Sequence, residues 1–427
     1  MGSDTTHRTR SMKDVVRNFA PAWFAVNMGT GSISILFNSY PYGSDMPGMK
    51  VMSLIFLLLN IGLFLLFSAI SIVRYTTWPD IWFIMSSHPA QSMFTGTFPM
   101  GFATILTVSV PLVNEHYGVG GKTFLYVLWA LWWVDVAVSF SCCWGILHMM
   151  KILHTHSLEA MTAIWLLPVV TLIVASSSGG VLASALHQFS PEHALITTAV
   201  SVFMNSAGFT LAMMILTVYH YRLVVHGIPP GLGAVSVFLP LGPTGQAGYS
   251  ILLTGRFFRD YIPKLGSTSE FLGGQGIGHI VHAVCVCISF YLWALCTMWV
   301  LFAFLGIQHA LRRGPIPFKV QVWGLVFPNG VYAIHTIGMA KTFDSAFLRI
   351  LGSVYGAGVM LLWVCISAKT VQLVYTREIF QAPCLDAINM EKANGEEIEL
   401  ATLQEVSADR LDGSNQLLRT SSNCTAL

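Results

Sequence analysis

Charge is scarce along this chain. Asp, Glu, Lys and Arg together make up 10% of its 427 residues, where a water-soluble domain carries about 25%. With 54% hydrophobic residues it cannot cover its own surface with polar groups. A soluble globular fold is therefore excluded, and lipid is left as the solvent. Neither sign dominates: the formal net charge is +2, so no basic face offers itself to nucleic acid. A disulfide framework is lacking too. Six of the eight cysteines lie inside apolar runs and none forms a CxxC pair, so they are expected to be small packing residues. A small-residue cleavage site is missing after the basic start (Arg8, Arg10, Lys13, Arg17), so the first apolar run is expected to remain as a signal anchor. No HExxH, GxSxG or GxxxxGK[ST] motif occurs. The close histidine pairs, His154 with His156 and His279 with His282, have no carboxylates at ligand spacing. No metal, cofactor or enzymatic activity is expected, and a membrane-embedded metalloenzyme or sensor stands as the alternative of another class.

What the chain has in abundance is long apolar runs. Ten segments reach the roughly 20 residues that a spanning helix needs, at about 19–38, 51–73, 93–113, 124–150, 163–186, 194–221, 232–254, 276–307, 320–340 and 346–375. Residues 1–18 read as a cytosolic N-terminal segment, 19–379 as a ten-helix transmembrane domain and 380–427 as a polar, disordered cytosolic tail. Orientation follows from lysine and arginine. With the N-terminus inside, most of the 22 fall on the cytosolic side, while Lys50, Lys122, Arg256, Arg259, Lys264, Lys341 and Arg349 fall outside. Both termini are then cytosolic.

Prolines punctuate these runs in alternation. Spans three, five, seven and nine contain Pro99, Pro168, Pro243 (with Pro240) and Pro328 well inside the apolar stretch; the even spans contain none. Span one carries Gly29 and Gly31 instead, with Pro21 at its start. A proline removes a backbone donor and frees a carbonyl one turn back. In lipid, such groups need protein or water beside them. The pattern predicts an all-α membrane protein of five helical hairpins, bent odd helices inside and straight even helices outside, around a narrow central pore. The alternative is that prolines are simply commoner in membrane helices.

The odd spans also collect small polar residues. Thr30, Thr97, Ser177, Thr244, Gln246, Asn329 and His335 are the candidate lining of an anion pathway, because hydroxyls and amides solvate an anion without trapping it. Each hydroxyl can equally bond its own helix backbone, and His335 can equally be a packing group. Asp135 is the one carboxylate deep in a span. It is a candidate for proton coupling or for a structural hydrogen bond between helices.

Five stretches carry a family likeness: TFPMGFATI (97–105), LYVLWALWWVDVAV (125–138), LLPVVTLIVASSSGG (166–180), FLPLGPTGQAGYSILL (238–253) and VWGLVFPNG (322–330). On these the chain resembles the tellurite-resistance/dicarboxylate transporter family, which takes in fungal sulfite exporters, yeast malate permeases and plant slow anion channels. The likeness covers nearly all of 19–375 and leans to the sulfite exporters. It implies ten helices around a pore in each subunit of a homotrimer, in the plasma membrane. It also implies a pore-plugging phenylalanine just before the proline of the ninth helix, here Phe327. The expected cargo is sulfite or bisulfite; malate or another C4-dicarboxylate is the alternative, since VFPNG also looks like the malate permeases.

Overall fold

The computed structural model describes residues 11–264 and 272–385. The expected tail beyond 385 and residues 1–10 of the expected N-terminal segment lie outside the described residues. One compact unit, Met1–Gln381, contains every long helix; a second begins at Ala382.

The described residues are helical, with no strand among them. The long helices are α1 (Phe24–Ser39), α2 (Pro47–Thr77), α3 (Thr97–Val108, continued by a π-helical stretch Ser109–His116), α4 (Gly121–Ile152), α5 (Leu167–Leu186), α6 (Pro191–His226), α7 (Leu241–Tyr261), α8 (Ile277–Arg313), α9 (Val326–Phe343) and α10 (Ala346–Tyr375). Among the described residues, seven helices are long and apolar enough to cross a membrane, which makes this an all-α, multi-pass membrane protein. The three expected spans that fall short of that measure are α1, α7 and α9. α1 has 16 residues, and α7 and α9 carry Arg256 and Lys341 near their ends. A helix enclosed by others presents no surface to lipid, so it can be short and carry polar groups.

Enclosure separates odd helices from even. Of the most apolar stretch of Ala163–Leu186, 94% is buried; for Pro47–Thr77 the figure is 17%. The even helices instead expose large apolar side chains such as Leu65 on α2, Phe203 on α6, Leu301 and Leu305 on α8 and Leu361 on α10. In water such a girdle would drive aggregation; in a bilayer it meets its own solvent. The odd helices touch in sequence: α1 packs on α3, α3 on α5, α5 on α7, α7 on α9, and α9 returns to α1. α6, α8 and α10 each back the odd helix before them, and α2 backs α1.

The prolines do something more local than the sequence suggests. Each odd helix is preceded by a 3₁₀ stretch: Pro21–Trp23, Ser92–Gly96, Ala163–Leu166, Gly231–Phe238 and Val320–Leu325. Pro99, Pro168, Pro243 and Pro328 then lie in the first turn of the α-helix that follows, all four buried. They mark a change of helix type, not a mid-helix kink. The reason is physical: first-turn N–H groups have few partners within their own α-helix, so a missing donor there is tolerated. The 3₁₀ stretch also rises further per residue, lengthening a short helix.

A cavity at the meeting of the odd helices

All five odd helices contribute to one small cavity. Its lining is Ile35 from α1, Thr104 and Thr107 from α3, Val174 from α5, Gln246 and Tyr249 from α7, and Phe327, Val331 and Ile334 from α9. Its volume is about 10 Å³, about the room taken by a single water. Larger hollows open at the surface. One lies between α4 and the short helix Asp80–Ser87, another beside the end of α8; neither is enclosed by the odd helices.

The lining holds no charged group. Phe327, 4% exposed, is one of the lining side chains and the bulkiest apolar one. Gln246 Nε2 donates to Ser177 Oγ, and Ser177 in turn donates to Val174 O at 2.9 Å. The structure thus brings together Phe327, Gln246 and, behind the lining, Ser177. Thr104 Oγ donates to Gly101 O (2.7 Å) and accepts from Asn60 Nδ2 on α2 (3.0 Å). Asn27 Nδ2 completes this cluster by donating to Asn60 Oδ1 at 3.0 Å.

The other expected lining residues face elsewhere. Thr30 accepts from Trp363 Nε1 of α10 at 3.2 Å. Thr97 donates to Phe94 O and Pro21 O, tying the starts of α3 and α1. Thr244 bonds its own helix through Pro240 O at 2.8 Å. Asn329 donates to Leu325 O and accepts from Tyr355 OH of α10. His335 Nε2 meets Ser289 Oγ of α8 at 2.9 Å, and its Nδ1 has no partner. The ring lies so close to Gly248 that a Cβ there would come within 2.1 Å of Cε1. None of these five lines the cavity, and all but Thr244 bond a neighbouring segment. Asp135 is buried on α4, and neither carboxylate oxygen has a hydrogen-bond partner. Among the described residues no three His, Cys, Asp or Glu side chains group as a metal site.

Sequence reasoning missed Thr107, Tyr249 and the apolar lining. The signal was available once one lining residue per helix was chosen. Counting three, four or seven from Phe327 reaches Val331 and Ile334, and three from Gln246 reaches Tyr249, all on one helical face.

An all-helical membrane protein whose buried helices meet around a neutral, water-sized space belongs to the class of channels and transporters. The comparisons agree. The model of the family described as SLAC1, voltage-dependent anion channel, matches residues 18–371, and the chain belongs to that family. The expected kinship with tellurite-resistance/dicarboxylate transporters and plant slow anion channels is thereby borne out. A sulfite efflux pump SSU1 of Arthroderma benhamiae is 40% identical over 366 residues, covering 86% of this chain and 93% of that one. One of Trichophyton rubrum is 39% identical with the same coverage. A malic acid transport protein of Schizosaccharomyces pombe is 23% identical over 82% of this chain and 77% of its own. These are the names of channels and transporters.

Proposed function

We propose that this protein exports sulfite or bisulfite across the plasma membrane, through a path inside each subunit that Phe327 closes. The observation that carries this reading is the cavity that all five odd helices share, with Phe327 in its lining. A bulky apolar ring in a narrow path excludes water and therefore ions. Neutral donors beside it (the second N–H of Gln246 Nε2, the Tyr249 hydroxyl) can replace part of an anion's hydration without holding it. In this reading all ten helices span the bilayer as five hairpins around the path, both termini are cytosolic, and the protein is a homotrimer with one path per subunit. The scarcity of Lys and Arg outside supports the orientation.

Sulfite is preferred to a C4-dicarboxylate for two reasons. The relatives at 40% and 39% identity are named sulfite efflux pumps, and no pair of cations at the cavity can clamp two carboxylates. The malate reading has the more distant relative in its favour. The test expresses the protein in cells lacking their own sulfite exporter and compares sulfite tolerance and efflux with malate uptake. Restored tolerance is the expected result; malate uptake without tolerance reverses the assignment.

Asp135 is the group we assign to proton coupling. It lies on an even helix, outside the cavity lining, with both oxygens buried and unbonded. Asp135→Asn is expected to retain export but to lose its dependence on an imposed proton gradient, read as efflux with and without the gradient. An unaltered gradient dependence removes Asp135 from coupling and leaves it a structural role.

A further inference from the structure

The cavity-lining faces of three odd helices continue, towards the same end of the bundle, into positive charge. The odd helices run parallel, starts against starts and ends against ends: Thr97 at the start of α3 reaches Pro21, and Arg256 near the end of α7 reaches Gly338 and Thr342 near the end of α9. On α7, Gln246 and Tyr249 line the cavity and Arg256 follows Tyr249 by seven residues. That is two turns further on the same face, about 10 Å along the axis. Tyr249 and Arg256 lie within electrostatic reach of each other. On α9, Val331 and Ile334 line the cavity and Lys341 follows Ile334 by seven. On α1, Ile35 lines the cavity, and Asn38, one turn beyond, holds the ammonium of Lys50 at 2.8 Å through its Oδ1. Lys341 is within electrostatic reach of both Arg256 and Lys50, and of one carboxylate, Asp45.

Asp260 also lies within electrostatic reach of Arg256, but two ion pairs at this end are closed on themselves. Arg259 pairs with Asp260 and Arg349 with Asp344. Among the described residues Arg256, Lys341 and Lys50 form no ion pair, and Arg256 donates only through one nitrogen, to Gly338 O and Thr342 Oγ at 3.1 Å each. Three converging cations beyond a neutral constriction focus a positive field on one mouth. A guanidinium with free donors adds the planar fork that suits an oxyanion.

We propose that Arg256, Lys341 and Lys50 together form a resting site for a small inorganic oxyanion at the mouth to which the odd helices' C-terminal ends point. This deepens the export reading, in which that mouth is the outer one and the oxyanion is the departing sulfite. The site accelerates departure by offering the ion a foothold past Phe327, and it is shallow enough to release it, because it lies at an open end and is screened by salt.

The test uses the purified full-length protein and thermal unfolding in sodium sulfite, sodium nitrate or sodium gluconate at equal ionic strength. An ion that binds only the folded protein raises Tm. Sulfite is expected to raise Tm of the wild type, and R256Q/K341Q is expected to need at least about tenfold more sulfite for the same rise. R256K keeps the charge and is expected to retain most of the response; if R256Q/K341Q does not fold, R256K/K341Q is measured instead and is expected to lie between. F327A is expected to respond as wild type does. No sulfite-dependent rise in the wild type, or an undiminished rise in the neutralised variant, overturns the site. The outcomes separate cleanly from those of the export assay: a charge-dependent rise in Tm with no sulfite efflux leaves the site standing and removes the export reading.

Discussion

Phe327→Ala is expected to raise anion flux by about tenfold or more, the behaviour of a constriction that opens when it can wet. Phe327 lines a space to which all five odd helices contribute, and that space, at about 10 Å³, leaves no room for an anion beside the ring. Truncation to a methyl group joins the volume of the ring to the existing cavity. The enlarged space would be bounded by Thr104, Thr107, Gln246 and Tyr249 beside Ile35, Val174, Val331 and Ile334, with enough polar partners to hold water. Stability should move the other way, because removing a buried phenyl ring costs about 3–5 kcal/mol when the surroundings do not collapse. Phe327→Leu should fall between on both scales. The check is flux per molecule, normalised to the amount of folded protein in the membrane, with Tm measured alongside. Flux that stays at the wild-type level while Tm drops would show the ring to be packing alone, and the proposed gate would be lost.

Gly31→Ala is expected to be the most damaging of the small substitutions. A Cβ at Gly31 would stand 2.0 Å from Thr104 Oγ, 2.4 Å from Thr104 Cβ and 2.7 Å from Asn60 Nδ2. None of these atoms is the loose end of a long side chain. Thr104 is held by Gly101 O and Asn60, and Asn60 by Asn27. To admit one methyl group, α1 and α3 must move apart, at about 1–3 kcal/mol for overpacking. Breaking the Asn60–Thr104 bond then strands buried polar groups, at about 1–3 kcal/mol more. The measurement is the yield of monodisperse protein and its Tm. Gly358→Ala on α10, where nothing lies within 4 Å, should match the wild type. If Gly31→Ala matches it too, the close approach of α1 and α3 is not what holds this end of the cavity.

The alternation of inner and outer helices was legible because proline and small polar residues are tolerated only where protein, not lipid, surrounds a helix. Gln246 was legible as a candidate for the same reason, whereas Phe327 was a candidate only through the family likeness. Asn60 was not: it sits in the most apolar of the spanning helices, and only the neighbouring Asn27 and Thr104 give it a role. Thr30, Thr97, Thr244, Asn329 and His335 had the right chemistry on the right helices, but four of them find partners on neighbouring segments and Thr244 bonds its own helix. Arg256, Lys341 and Lys50 read as scattered exterior charges until the faces of α7, α9 and α1 are followed past the cavity.

The sequence by itself therefore determined the solvent, the helical class and which helices lie inside, because each of these follows from composition summed over a whole segment. Which side chains meet was decided only by the tertiary structure. Each residue turns a helix by about 100°, and a helix buried on every side carries no apolar stripe to say which face points where. Its rotation is set by contacts such as Gly31 against Thr104 and Gly248 against His335, made between residues far apart in the chain.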